Sequence, residues 1–90
     1  MNLSVGELEL KCALNWIRRK VYSAINRCYN REAKQYKDYG GRGIRVHILW
    51  LKDLDAFVAY LTSLPGWTDP NLVLDRIDND GHYEPGNLRF

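Results

Sequence analysis

Leu72-Val73-Leu74-Asp75-Arg76-Ile77-Asp78-Asn79-Asp80-Gly81-His82-Tyr83-Glu84-Pro85-Gly86-Asn87-Leu88-Arg89-Phe90 carries the strongest fold signal in the chain. Leu72, Val73, Leu74 and Ile77 are strand formers leading into turn residues. Asp78-Asn79-Asp80-Gly81 has the composition of a hairpin tip, with Gly81 free to take positive φ. The chain returns through His82 and Tyr83, and Pro85-Gly86 breaks the second arm just before Asn87. A tight hairpin brings Asp75 and Asn87 close together. A carboxylate and an amide oxygen are hard ligands suited to Mg²⁺, Mn²⁺ or Ca²⁺, with water completing the shell.

Upstream of this run, Tyr39-Gly40-Gly41-Arg42-Gly43-Ile44 reads as a tight loop. Its glycines allow positive φ and close backbone approach. Exposed N–H groups of such a loop can hold a phosphate, with Arg42 as a bidentate clamp. The Gly-Lys-Ser/Thr end of a Walker loop is absent.

Together these two segments resemble the phage-borne branch of the HNH nucleases, the ββα-metal or His-Me finger group. The resemblance rests on Tyr39 to Ile44 followed by Asp75-Arg76-Ile77-Asp78-Asn79-Asp80-Gly81 and Tyr83-Glu84-Pro85-Gly86-Asn87-Leu88-Arg89, and it covers roughly residues 29–90. It implies that Asp75 and Asn87 hold one Mg²⁺ or Mn²⁺. Two departures stand out. Arg76 occupies the place of the family's general-base His, and a guanidinium that stays protonated cannot take a proton from water. The sequence also ends at Phe90, where the resemblance implies that the metal-binding helix of the finger begins. At Arg76 a guanidinium can bind the scissile phosphate or neutralise Asp75. His82 is then the one candidate base beside the hairpin.

The charge map is uneven. Residues 18–45 carry nine basic side chains (Arg18, Arg19, Lys20, Arg27, Arg31, Lys34, Lys37, Arg42 and Arg45) against Glu32 and Asp38. Residues 46–90 carry three basic against seven acidic ones. A basic middle beside an acidic hairpin suits a phosphate-binding surface next to a cation site. Between residues 29 and 39, Arg31, Lys34 and Lys37 alternate with Tyr29, Tyr36 and Tyr39. That interleaving suits single strands or distorted duplex, where a base stacks on a ring, although the same rings can simply pack on a neighbouring helix.

Upstream, Ser4 and Glu7 form a capping box. Apolar residues at Leu10, Leu14, Ile17, Val21, Ile25 and Cys28 follow at helical spacing, which predicts a helix over residues 5–29. Cys12 and Cys28 lie sixteen positions apart on it. At 1.5 Å per residue that separates them by roughly 24 Å, too far for a disulfide. Reduced thiols, the absence of a basic n-region in Met1 to Ser4 and the absence of a membrane-length apolar run point to a cytoplasm, that of the host cell for a phage protein. Downstream, the alternation Ile44-Arg45-Val46-His47-Ile48 predicts a short strand. Asp53 caps a second helix with the stripe Leu54, Phe57, Val58, Leu61 and Leu64, ended by Pro65-Gly66. Trp50 and Trp67 flank that helix as core anchors.

Other chemistries fail on spacing. Placing Gly81 at position six of a calcium loop would put Arg76 at position one and Asn87 at position twelve, where acids are needed. Cys12, Cys28, His47 and His82 lack paired zinc-ligand spacing.

The expected fold is α+β in one small domain of residues 1–90: a long N-terminal helix, a basic glycine loop with a short strand, a second helix and a C-terminal HNH-like hairpin. Two functions are expected. One is nucleic-acid binding, to DNA, with metal-dependent endonuclease or nickase activity. Its site is Asp75 and Asn87 for the metal, His82 and Arg76 for catalysis, and Arg18, Arg19, Arg27, Arg31, Lys34, Lys37, Arg42 and Arg45 for the backbone. The alternative is an inactive phage protein that binds and inhibits a host nucleic-acid or defence complex. No membrane partner is expected.

Overall fold

The computed structural model describes residues 4–90, so Met1, Asn2 and Leu3, on which the absence of a leader was partly read, lie outside the described residues. Helix α1 spans Val5–Tyr29 as its periodicity predicts. Ser4 caps it, its hydroxyl accepting from the Glu7 N–H at 3.2 Å, an interaction of about 1 kcal/mol. The expected stripe is half realised. Ile17, Val21 and Cys28 are buried, with Ala24 beside them, whereas Leu10 is half-exposed.

After α1 the chain makes a run of turns and two single-turn 3₁₀ helices, Tyr36–Asp38 and Gly40–Arg42. Gly40 lets this loop press onto the end of α1. A Cβ there would run into the Cys28 carbonyl oxygen.

The strand expected over residues 44–48 is a correction. Only Val46 pairs, as an isolated parallel bridge to Tyr83. The bridge is made by the Tyr83 N–H to the Arg45 carbonyl (3.0 Å) and the His47 N–H to the Tyr83 carbonyl (2.8 Å). His47 then turns the chain into a short helix α2, Ile48–Lys52, whose Ile48 and Leu49 stay exposed. Alternation over five residues could not separate a strand from one bridge followed by a helical turn.

Helix α3 spans Leu54–Thr62, capped by the Asp53 carboxylate, which accepts from the Asp55 N–H at 3.1 Å. Phe57 and Leu61 are fully buried, each contributing about 1.5–3 kcal/mol through burial. Trp50 stacks on Phe57 with ring centroids 4.4 Å apart. Trp67 packs at the edge of the same core.

Strands β1 (Asp75–Arg76) and β2 (Leu88–Arg89) form an antiparallel pair, with Asp75 opposite Arg89 and Arg76 opposite Leu88. This is shorter than the expected hairpin. Residues 77–87 form an irregular loop instead of a tight tip, and the positive φ falls at Gly86 (86°), not at Gly81. The described chain is thus mixed: a long N-terminal helix, two shorter helices and a small two-stranded antiparallel sheet. Among the described residues, no helix is long and apolar enough to cross a membrane.

Candidate nucleic-acid interface

The hairpin loop is held by side chains that the sequence offered as catalytic or metal-binding groups. In β1 the pleat turns Asp75 outward and Arg76 inward, leaving Arg76 7% exposed. Inside, its guanidinium donates to the Asn79 and Gly81 carbonyls, the latter at 2.8 Å, and to the Asn79 side-chain oxygen at 3.2 Å. It also lies 5.1 Å from the Tyr39 ring centroid and 5.6 Å from that of Tyr83. The expected pairing of Arg76 with Asp75 is replaced. Arg89, directly across the sheet, meets the Asp75 carboxylate at 3.1 Å.

Asn87 is buried and spent in the same loop. Its amide oxygen accepts from the Asp78 N–H at 2.7 Å. Its amide nitrogen donates to the His82 carbonyl at 2.8 Å and the Asp78 carbonyl at 3.3 Å. Gly81 permits this, since a Cβ at that position would stand 2.7 Å from the Asn87 amide nitrogen. As arranged, Asp75 and Asn87 do not fit a divalent cation: the carboxylate faces a guanidinium, and the amide oxygen faces a main-chain donor. Among the described residues, no group of three or more His, Cys, Asp or Glu gathers to hold a metal ion.

His82 is placed by its own bond. The Arg45 N–H donates to its Nδ1 at 2.9 Å, so the neutral ring carries its proton on Nε2. The ring's acceptor nitrogen is therefore occupied.

The glycine loop is tied to the hairpin by Arg42, whose guanidinium meets the Asp80 carboxylate at 2.6 Å and the Asp38 carbonyl at 3.2 Å. Arg45 donates to the Gly40 and Ile44 carbonyls at 3.4 and 3.3 Å. These two arginines, expected to clamp phosphate, brace the loop.

Four other cations lie together along α1 and the turns after it. A groove of about 520 Å³ lies between the C-terminal half of α1 and residues 33–38, and its lining carries Arg27, Lys34 and Lys37 against Asp38. A second hollow of about 270 Å³ continues it toward Lys20 and Tyr83, and the two share Ser23 and Arg27. Arg27 is fixed at the junction. Its Nε donates to the Gln35 side chain at 2.7 Å, and its guanidinium lies 5.3 Å from the Tyr39 ring centroid. Tyr39 is thereby flanked by Arg27 and Arg76 and stacks on Tyr83 with centroids 6.3 Å apart. Burial raises the Tyr83 phenol above its ordinary pKa, against the pull of Arg27. Arg18, Arg19 and Arg31 are exposed on α1 and just after it. Lys20 and the role of Ser23 were not singled out as binding positions. The signal was available, because residues 20, 23 and 27 recur at helical spacing on one side of α1.

No family model, curated protein or solved structure matches the chain.

Proposed function

We propose that this protein binds nucleic acid, with the phosphate backbone running in the basic groove beside α1. The observation that carries this reading is the continuity of the groove: Lys20, Arg27, Lys34 and Lys37 line two joined hollows, with Asp38 as the opposing carboxylate. Arg27 is pre-oriented by Gln35 and Tyr39, so it loses little side-chain freedom on meeting a phosphate. Lys34 and Lys37 are exposed and project as hydrated point charges. Arg18, Arg19 and Arg31 extend the field around the groove and favour association with a polyanion.

In this reading the finger-like half is a binding scaffold that does not cut. The HNH resemblance supplies the order of the glycine loop and hairpin, and its phage-borne branch is the proposed origin. The hydrogen bonding of Arg76, Asn87 and His82 favours bracing over catalysis, because each group that would act on a phosphodiester is engaged in holding residues 78–82.

Fluorescence anisotropy of a labelled oligonucleotide across a salt series tests the proposal. Log affinity should fall linearly with log salt, and Lys34→Ala or Lys37→Ala should each flatten the slope by about 0.7–0.9. Binding that ignores both salt and these substitutions would reject the groove.

A further inference from the structure

Beside the groove, on the adjoining face of α1, Tyr22 and Tyr29 lie two helical turns apart. That spacing is about 10.5 Å along the axis at 1.5 Å per residue. Tyr22 is 61% exposed and Tyr29 40% exposed, although Val21 and Cys28 next to them in sequence are buried. With Ile25 and Asn26 between them, they line a shallow hollow of about 560 Å³. Tyr29 is fixed: its hydroxyl accepts from the Val46 N–H at 3.0 Å. Asn26 accepts from the Asn30 side chain at 2.9 Å, which leaves its own amide N–H groups on the surface. Arg18 and Arg19 stand one turn before Tyr22.

Asn26 lines both this hollow and the basic groove, so the two surfaces meet along the ridge of α1. The geometry points to a nucleobase-stacking site, and hence to single-stranded nucleic acid as the ligand class. A single strand can keep its phosphates in the groove while its bases turn over the ridge onto the Tyr rings, with the Asn26 amide at a base edge. Every base has a π-face, so such a platform is tolerant of sequence. A duplex keeps its bases stacked on one another and can offer this surface only phosphates. The inference rests on the groove reading above and adds to it the strandedness of the ligand.

The test compares three labelled ligands of equal length: a single strand, the matching duplex and a fully abasic strand. The wild type should bind the single strand most tightly. Tyr22→Ala should weaken single-strand binding about tenfold, equivalent to roughly 1.4 kcal/mol, and leave duplex and abasic binding unchanged. Tyr22→Phe, which keeps the ring, should restore single-strand affinity. The exposure of Tyr22 makes both variants compatible with folding, and an unchanged helical circular-dichroism signal checks this. Equal or tighter duplex binding, or equal losses on all three ligands, would overturn the stacking site while leaving the groove standing. No binding to any ligand would overturn both.

Discussion

The amide nitrogen of Asn87 occupies the space that a side chain at Gly81 would need, 2.7 Å from where that Cβ would stand. The loop therefore closes around an amide, and a residue expected to face a metal faces the main chain of Asp78 and His82. Gly81→Ala should destabilise the fold by about 1–3 kcal/mol through overpacking against this amide. Thermal unfolding measures it. An unchanged midpoint would mean that the amide does not close the loop.

Arg76 is the other half of that closure. Removing it leaves the Gly81 carbonyl without a donor and the Asn79 carbonyl with only the longer Arg42 bond of 3.5 Å, and an unsatisfied group shielded from water costs about 1–3 kcal/mol. Arg76→Ala should lower stability by at least that amount. Arg76→Lys should recover only part of it, because an ammonium cannot reproduce the guanidinium fork. Denaturant titration of the three proteins gives the order. Full rescue by Lys would contradict the geometry.

The two thiols should separate chemically. Cys12 is exposed and Cys28 buried, and burial pushes the Cys28 thiol up from 9.0 to about 11. Thiol titration of the native protein at pH 8 should find one reactive group, and a second only on unfolding. The raised pKa also sets a sign. Between pH 9 and about 11 the unfolded thiol ionises and the folded one does not, so stability falls as pH rises through that window and is unaffected below it. Stability that rises across the window would contradict a buried thiol.

Legibility followed the range of the interaction. Helix α1 was readable to its ends because its stripe and its cap, Ser4 with Glu7, are local patterns. Asp53 and the stripe of α3 were readable for the same reason. The strand at residues 44–48 was not, because what decides it is one non-local bridge between Val46 and Tyr83. The basic middle of the chain was plain in the sequence. Its division was not. Arg42 and Arg45 brace the glycine loop through Asp80 and main-chain carbonyls, whereas Lys34 and Lys37 line the groove. That sorting depends on which carbonyls and carboxylates the fold brings within reach, and composition carries no trace of it. The partner of Asp75 was missed in the same way, since only the register of the two strands sets Arg89 opposite it.

A supercoiled-plasmid assay in Mg²⁺ and then Mn²⁺, scoring retardation and nicking together, separates binding in the groove from cleavage at the hairpin. It compares the wild type with Asp75→Ala and with the double variant Lys34→Ala/Lys37→Ala. Asp75 and Arg89 form an exposed pair of the kind that contributes less than about 1 kcal/mol, so Asp75→Ala should fold and serve as a clean probe. Retardation is expected from the wild type and from Asp75→Ala, weaker retardation from the lysine variant, and no nicking from any of the three. Nicking by the wild type that Asp75→Ala abolishes would contradict this and show a working metal finger. Retardation equal in all three would place the nucleic acid somewhere other than the groove.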